Sequence, residues 1–393
     1  MQEVFVVSAA RTAIGTFGGT LKDVPLADLA TVAVRAALER SGAPADAIGH
    51  LAMGNVIPTE PRDAYLSRVA AMQAGLPQEV PAFNVNRLCG SGLQAIISSA
   101  QALMLGDAQM AIGAGAESMS RGPYLATSAR WGQRMGDMQM QDYMLNILHD
   151  PFHRIHMGVT AENVADRNGI TREQMDALAA ESHRRAAAAV AEGRFKEQIV
   201  PVTIATRKGE VQFTTDEHVK PDTTAELLAK MKPAFRKEGG AVTAGNASGI
   251  NDGAGAVVLA TAEALRTHNL KPMARLVAYA HAGVDPKIMG IGPVPATRRV
   301  LERAGLRIDQ LDVIESNEAF AAQACAVVKE LGLDPARVNP NGSGISLGHP
   351  VGATGAIIAT KAIYELQRVQ GRYALVTMCI GGGQGIAAVF ERA

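Results

Sequence analysis

The sequence predicts an α/β fold in which strands alternate with helices in two similar halves. Short apolar runs, typical of buried strands, alternate with Ala- and Leu-rich stretches of helical character, first near the N-terminus and again near the C-terminus. This alternation is typical of a parallel sheet covered by helices. With 393 residues the chain exceeds one ordinary core, so two domains or one large α/β unit are expected.

The elements of this pattern can be assigned in order. The first series of predicted strands is Val4–Val7, Leu51–Val56, Ala82–Val85 and Gln109–Gly113, and the helices among them are Leu26–Ser41, Arg62–Ala74 and Gly90–Leu105. The second series of predicted strands is Ala274–Ala280, Val313–Glu315 and Ala374–Met378, and its helices are Pro295–Ala304, Glu318–Gly332 and Ala353–Gln370. Between the two series, residues 120–243 hold the only tryptophan and an Ala-rich helix that opens on a capping box of Thr171 and Gln174. This middle segment is predicted to be an insertion on the layered core.

An internal repeat supports the division into two halves. Residues 83–118 resemble residues 338–385: each segment has an Asn-x-Asn strand end, a Gly-rich turn, an apolar helix and a strand that runs into glycines. A repeat of this size indicates two similar halves around a pseudo-two-fold axis, although chance similarity between Gly-rich segments is the alternative. The second turn is longer, and its additional residues include His349.

Composition excludes several classes of function. The 38 basic and 38 acidic residues give no net charge, and there is no long basic run, so no nucleic-acid partner is expected. No apolar run reaches the roughly 18 residues of a membrane helix, so no membrane association is expected. The N-terminus is predicted to be a strand rather than a signal peptide, and the C-terminus carries no peroxisomal address. The three cysteines are expected to be free thiols in a reducing cytoplasm.

Cys89 lies in the stretch NRLCGSGLQAII, between a predicted strand and a predicted helix. The glycines on either side of Ser91 permit a tight turn. A thiol at a helix N-terminus faces the positive end of the helix dipole and unsatisfied amides, which are expected to lower its pKa from about 8.5. Cys89 is therefore a candidate nucleophile. The alternative is a small residue packed where the helix meets the sheet.

The other two cysteines lie in different settings. Cys379 follows an apolar strand and precedes three glycines, at a strand end where open α/β sheets bind ligands. The glycines expose backbone N–H groups that could hold an oxyanion, but a buried strand cysteine is the alternative. Cys325 lies in the middle of a predicted helix on a small apolar face, so a structural role is expected for it.

His349 lies between Gly348 and Pro350, and proline restricts the backbone of the residue before it. A histidine held on a stiff loop, in the repeat position that matches the turn of Cys89, is a candidate site residue; an exposed loop histidine is the alternative. Asn317 and Glu318 follow an apolar strand and begin a predicted helix. Asn317 could therefore cap that helix or direct its side chain into a site.

The Gly-rich stretch at 339–356 does not fit a nucleotide loop. It lacks the Lys-Ser/Thr pair of a phosphate-binding loop, and Leu347 stands where a dinucleotide fingerprint needs glycine. No closely spaced set of cysteines and histidines suits zinc. We expect neither a metal nor a bound cofactor.

Together these motifs resemble the thiolase family over nearly the whole chain. The matching strings are SAARTAIGTFGG (8–19), NRLCGSGLQA (86–95), GAESMS (115–120), HMGVTAEN (156–163), TAGNASGINDGA (243–254), NEAFAAQA (317–324), GSGISLGHPVGATG (342–355) and CIGGGQG (379–385). Further strings at 55–66, 129–137 and 149–158 resemble bacterial β-ketothiolases of polyhydroxyalkanoate synthesis, in the branch that accepts acyl chains longer than acetyl.

The resemblance implies a five-layered αβαβα fold built from two βαβαβαββ halves, and a homotetramer. Residues 1–119 with 244–272 would form the N-terminal half, 120–243 an inserted loop domain for tetramerisation and coenzyme A binding, and 273–393 the C-terminal half. The implied substrates are acyl-CoA thioesters, with coenzyme A itself as substrate rather than cofactor.

The resemblance also implies roles for the candidate residues. Cys89 would accept the acyl group, His349 would activate it and help to hold the thioester oxygen, and Cys379 would move the α-proton. Asn317 would position a water in one oxyanion hole, and the backbone amides of Cys89 and Gly381 would form a second. A thiol nucleophile keeps the acyl group activated between half-reactions, and a base tuned toward neutral pH suits removal of an α-proton.

Further positions are implied for binding. Coenzyme A contacts would involve His156, Lys220, Phe235, Ala244 and Ser248. Lys220 stands where the family often has arginine, and Leu227 stands where some relatives have serine, so the contacts to the nucleotide end depart from the family pattern. The acyl pocket would involve Leu148, Met157, Met289, Ala319 and Phe320, for which ordinary core packing is the alternative.

Two other functions compete with a thiolase. A decarboxylating condensing enzyme of the ketoacyl synthase type lacks the second catalytic cysteine, so Cys379 discriminates against it. A non-catalytic acyl-CoA-binding relative would not need Cys89, His349 and Cys379 together. The residues thus favour reversible condensation of acetyl-CoA with an acyl-CoA to a 3-ketoacyl-CoA.

Overall fold

The computed structural model describes residues 2–207 and 209–393. The strands are β1 Val4–Thr12, β2 Gly15–Thr16, β3 His50–Gly54, β4 Ala82–Val85, β5 Met110–Ser118, β6 Tyr124–Leu125, β7 Gln141–Asp142, β8 Ile199–Val200, β9 Val202–Thr206, β10 Gly209–Phe213, β11 Asn251–Thr261, β12 Ala274–Gly283, β13 Val313–Ser316, β14 Tyr373–Ile380 and β15 Gln384–Arg392. The α-helices are α1 Leu26–Ser41, α2 Leu66–Gln73, α3 Ser91–Leu105, α4 Tyr143–Ile147, α5 Met157–Asn168, α6 Arg172–Ala191, α7 Ala225–Leu228, α8 Ala262–Thr267, α9 Pro293–Ala304, α10 Ala321–Leu331, α11 Gly344–Leu347 and α12 Thr354–Arg368.

The main sheet has two halves that meet at a short junction. Its order is β13-β14-β15-β12-β1-β11-β5-β3-β4, with β2 and β8 at its margins. At the junction, β1 and β12 pair through only two residue pairs, Phe5 with Arg275 and Val6 with Ala274. On either side of this junction, each half has its own long antiparallel pair of strands: β1 with β11 in one half and β12 with β15 in the other.

The expectation of a parallel sheet was wrong for the centre of the molecule. The pairs β3-β4, β3-β5 and β13-β14 are parallel, but the pairs that involve β11 and β15 in the main sheet are antiparallel. Neither β11 nor β15 is among the strands predicted from the sequence. Both are buried over most of their length, and β11 begins in small residues and glycines, so neither shows the polar alternation of a half-exposed strand.

The hydrophobic core is divided into layers that confirm the five-layered fold. One cluster packs α1 and α2 on the outer face of the N-terminal half, and another packs α9 and α10 with α5 and α6 on the outer face of the C-terminal half. A third cluster holds α3 and α12 between the inner faces of both halves. These two central helices are the helices of the internal repeat, and the turns that precede them carry Cys89 and His349.

Glycines allow the central helices to approach closely. A Cβ atom on Gly355 would lie 2.2 Å from the backbone nitrogen of Leu93, and one on Gly92 would lie 2.6 Å from that of Ala356.

Residues 88–105, which include α3, have the length and the mean hydropathy (1.3) of a membrane span. This differs from our expectation from the sequence. However, 67% of this window is buried inside the protein. A mostly buried window of this kind is weak evidence for a span, because core helices have the same composition.

The segment between β5 and β11 contains short strands and the helices α4 to α7. The predicted capping box of α6 is confirmed, because Thr171 and Gln174 bond reciprocally to each other's backbone. A buried ion pair joins this segment to the sheet: the Arg11 guanidinium donates to both carboxylate oxygens of Asp216, at 2.8 and 2.9 Å.

Candidate active site

Cys89 lies on a sharp turn between β4 and α3. Leu88, just before it, has a φ of 46°, a left-handed conformation that non-glycine residues rarely adopt. The turn is held by Ser91, whose hydroxyl accepts from the Arg87 N–H at 2.8 Å and donates to the Leu88 carbonyl at 2.6 Å. Gly90 leaves room for the Ile380 side chain, whose terminal methyl would lie 2.6 Å from a Cβ at this position.

Backbone N–H groups point to the thiol, but they do not make it a thiolate. The Gly381 N–H and the Cys89 N–H both act to lower the pKa of this thiol. Burial nevertheless raises the pKa of Cys89 to about 11, with a smaller contribution from Glu117 in the same direction. The expected lowering of this pKa was therefore wrong, because desolvation outweighs the N–H donors. A separate proton acceptor is needed.

His349 lies in a buried loop and is held through its backbone and through one ring nitrogen. Its backbone N–H donates to the Asn251 side-chain oxygen at 2.9 Å, and its ring Nδ1 lies 2.6 Å from the Thr354 hydroxyl. Gly348, with a φ of 107°, leaves room for Asn251 beside the loop. Burial lowers the pKa of His349 to about 4, so the imidazole is neutral at physiological pH.

Asn317 lies beside this ring and does not cap a helix. The helix begins at Ala321, with Phe320 as the residue before it, so the capping alternative was wrong. The amide nitrogen of Asn317 lies 3.5 Å from His349 Nδ1 and 3.4 Å from Nε2, and its side-chain oxygen is buried without a hydrogen-bond partner among the described residues. That oxygen is available to a polar atom of a ligand or a water molecule.

Cys379 lies near the end of β14, and its side chain is on the opposite face of the strand from those of Met378 and Ile380. Met378 and Ile380 pack into the central layer, whereas Cys379 faces the outer cluster of α5 and α10. Burial raises its pKa far above the usual thiol range, and the proximity of Cys89 raises it further. The expected tuning toward neutral pH was therefore wrong for the resting protein, in which both thiols carry their protons.

A cavity of about 360 Å³ lies above these groups and is lined mostly by apolar side chains. Most of the residues singled out from the sequence line it, namely Cys89, Leu148, His156, Met157, Phe235, Ala244, Ser248, Met289, Ala319, Phe320, His349 and Gly381. The Phe235 ring stacks on the His156 ring at 4.7 Å, and burial lowers the pKa of His156 to about 4. Asn317 and Cys379 do not line this cavity: Asn317 lies beside the His349 ring, and the buried Cys379 lies near Cys89.

Lys220 does not line this cavity. It lies with Leu227 in a neighbouring cavity of about 550 Å³, which shares Ala244 and Ala247 with the first one. The backbone N–H of Lys220 donates to the ring of His183 at 3.1 Å, which fixes this loop. Within residues 2–207 and 209–393, no group of three potential ligands could hold a metal ion.

One residue that shapes the site, Glu117, was missed in the sequence. Glu117 accepts hydrogen bonds from Asn55 and from the backbone of Val56, Ile57 and Gly352, so it ties together two loops that border the cavity. Burial raises the pKa of Glu117 to about 8. Its place in the string GAESMS was visible, but nothing in the sequence indicated which loops it would join.

Two thiols, an imidazole and an amide at the strand ends of a layered α/β fold define a thiol-dependent acyltransferase. Two protein-family models match the chain almost from end to end: the thiolase N-terminal domain matches residues 4–263, and the thiolase C-terminal domain matches residues 270–392. The chain therefore belongs to the thiolase family.

Curated relatives and solved structures agree with this assignment. The chain is 66% identical over 391 residues to the beta-ketothiolase BktB of Cupriavidus necator, covering 100% of this chain and 99% of the relative. It is 49% identical to an acetyl-CoA acetyltransferase of Pseudomonas aeruginosa over the full length of both. The Bacillus anthracis acetyl-CoA acetyltransferase matches with a TM-score of 0.98 at 46% identity, covering 100% of this chain and 99% of that one. Human mitochondrial 3-ketoacyl-CoA thiolase in complex with CoA matches with a TM-score of 0.96 at 42% identity, covering 100% and 98%.

Proposed function

We propose that the protein is a β-ketothiolase that condenses acetyl-CoA with acetyl-CoA or a short acyl-CoA, reversibly, to give a 3-ketoacyl-CoA and coenzyme A. The observation that carries the proposal is the convergence of Cys89, His349 and Gly381 on one apolar cavity, with the buried Cys379 close to Cys89. Similarity to the named ketothiolase and acetyltransferases gives the same reaction class.

In the first half-reaction Cys89 attacks the thioester carbon. Its proton passes to His349 as the new S–C bond forms, because neither group is charged in the resting protein. The bond from the acyl carbon to the CoA sulfur breaks, and the leaving thiolate takes the proton of Cys379. The products are an acyl-Cys89 thioester, free coenzyme A, a protonated His349 and a Cys379 thiolate.

In the second half-reaction the Cys379 thiolate removes an α-proton from acetyl-CoA. The enolate oxygen is stabilised by the protonated His349 and by a water held on Asn317, whose free side-chain oxygen supports this role. The enolate carbon attacks the acyl-Cys89 carbonyl, the bond from that carbon to the Cys89 sulfur breaks, and Cys89 recovers its proton from His349. Cys379 retains the α-proton, so both thiols return to their starting state.

The cavities support a path for the substrate. Phe235, stacked on His156, lines the route for the pantetheine arm together with Ser248 and Ala244. The neighbouring cavity with Lys220 would take the nucleotide end, through a single ammonium group rather than an arginine fork. The acyl chain would be bounded by Leu148, Met157, Met289, Ala319 and Phe320. We expect coenzyme A thioesters to be the substrates, with no further cofactor.

Location and assembly form part of the same proposal. We expect a cytoplasmic homotetramer, a dimer of dimers, that acts in polyhydroxyalkanoate synthesis or fatty acid metabolism. The segment 120–243 would supply contacts between subunits, and its exposed apolar side chains support this role: Trp131 is 89% and Met135 is 82% exposed. Light scattering on the purified chain tests the assembly, since a monomeric mass would contradict it.

The experiment that tests the reaction is a thiolysis panel over 3-ketoacyl-CoA substrates of increasing chain length. The proposal predicts cleavage of acetoacetyl-CoA and of 3-ketovaleryl-CoA, with coenzyme A as the acceptor. Activity confined to acetoacetyl-CoA would contradict the longer-chain pocket, and no cleavage of any member would contradict the function.

A further inference from the structure

We propose that Thr354 is a positioning residue that holds the proton of neutral His349 on Nδ1 and so leaves Nε2 as the proton acceptor for Cys89. Thr354 opens α12, is 2% exposed, and lies five residues after His349. The inference deepens the proposed function, on which the role of Nε2 depends, but the assignment of the proton rests on hydrogen bonds alone.

The position of the proton follows from counting donors around the threonine hydroxyl. The Thr354 oxygen lies 2.9 Å from the Pro350 carbonyl, which can only accept, so the single hydroxyl proton is given to that carbonyl. The same oxygen lies 2.6 Å from His349 Nδ1 and must therefore accept there. Nδ1 is then the protonated nitrogen, and in the neutral ring Nε2 carries the free lone pair.

The surroundings of the ring leave Nε2 available. The amide nitrogen of Asn317 is nearly equidistant from the two ring nitrogens, at 3.5 and 3.4 Å, so it does not lie along the lone pair of either. The backbone of His349 is held by Asn251, and the Gly352 N–H in the same loop is held by Glu117. The ring therefore cannot exchange its two nitrogens without breaking the bond to Thr354.

This arrangement lets one histidine serve both half-reactions. Nε2 must lack a proton to take one from the Cys89 thiol, and it must carry one to donate to the enolate oxygen later. With Nδ1 permanently protonated, the proton that arrives from Cys89 is the one that makes Nε2 a donor. The Thr354 bond is satisfied in both the neutral and the charged ring, so the cycle does not require the loop to rearrange.

The first test observes directly which ring nitrogen of His349 carries the proton, and it does not require catalytic turnover. NMR of the full-length protein labelled with 15N-histidine should show His349 with its proton on Nδ1 at neutral pH, and His349→Asn identifies its signal. Thr354→Val, which keeps the shape but loses the hydroxyl, should lose this preference, and Thr354→Ser should retain it. Thr360→Val is the matched control, because Thr360 is also buried in α12 and, among the described residues, its hydroxyl bonds only to the Ala356 carbonyl.

The second test measures the reactivity of the Cys89 thiol. With Nε2 free, alkylation of Cys89 by iodoacetamide should be nearly constant between about pH 6 and about pH 8, because His349 is already a neutral acceptor there. In Thr354→Val the rate at pH 7 should fall by about tenfold to a hundredfold and rise with pH, with a similar loss in kcat and little change in KM. Thr354→Ser and Thr360→Val should keep the flat profile.

A wild-type signal with the proton on Nε2, or a Thr354→Val protein that keeps both the Nδ1 proton and the flat alkylation profile, would overturn the inference. If the wild-type protein cleaves no 3-ketoacyl-CoA, the proposed function fails, while the NMR result still decides the position of the proton.

Discussion

Replacing Gly355 with alanine perturbs the crossing of α3 and α12, on which the geometry between Cys89 and His349 depends. The added Cβ would lie 2.2 Å from the Leu93 backbone nitrogen and 2.8 Å from the Leu93 Cβ. Neither contact can be relieved by a rotamer change. Reaching an ordinary contact of about 3.4 Å requires the helices to separate by about 1 Å, and overpacking of this kind costs about 1–3 kcal/mol of stability.

The separation should also affect catalysis, because each helix begins just after one of the reacting side chains. A displacement of about 1 Å between reacting groups can reduce the rate by about a hundredfold. The assay is kcat for thiolysis of acetoacetyl-CoA together with urea unfolding of the same preparations. Gly253→Ala is the matched control, since its Cβ would meet the Pro350 side chain at 3.4 Å, an ordinary contact. A Gly355→Ala protein with wild-type stability and kcat would refute this reasoning.

Three further predictions concern charge and protonation. Asp216→Asn leaves Arg11 as a fully buried charge without an ion-pair partner, so the free energy of unfolding measured in urea should fall by about 3–5 kcal/mol. The double variant Arg11→Met with Asp216→Leu should recover part of this loss, and an Asp216→Asn protein as stable as wild type would contradict the prediction. The folded pKa of His349, about 4, lies below its unfolded value of about 6.5, so the unfolded state binds the additional proton and stability is lost as pH falls from 6.5 toward 4. Over that range, the free energy of unfolding of the wild type should fall by up to about 3 kcal/mol more than that of His349→Asn. Equal decreases in the two proteins would argue against a buried neutral ring. Cys379→Ser should still accept an acyl group from acetyl-CoA but should not exchange the α-protons of acetyl-CoA with solvent; normal exchange would remove Cys379 from that role.

The elements predicted best were those with a strong local signal. Leu26–Ser41 was predicted at its observed bounds, because its apolar positions recur at helical spacing and Gly42 follows in a left-handed conformation. Ala82–Val85 was also predicted correctly. The antiparallel strands β11 and β15 were missed because their burial comes from layers above and below them, which local periodicity does not report.

For the site, the residue types were visible in the sequence but their electrostatics were not. Cys89, His349 and Cys379 were singled out from their local sequence, whereas the other residues expected at the cavity were implied by the resemblance to the family. The pKa of Cys89 was misjudged because its value depends on burial by the whole tertiary structure, which outweighs the local helix dipole. Asn317 was an ambiguous helix cap until the structure showed that its helix begins four residues later, at Ala321.

The proposed mechanism depends most on Cys89 as the residue that carries the acyl group. Incubation with radiolabelled acetyl-CoA, followed by digestion and peptide mapping, measures this directly. We predict one labelled peptide that contains Cys89, and no label in Cys89→Ala. Label that persists in Cys89→Ala, or that maps to Cys325 or Cys379 in the wild type, would contradict the account.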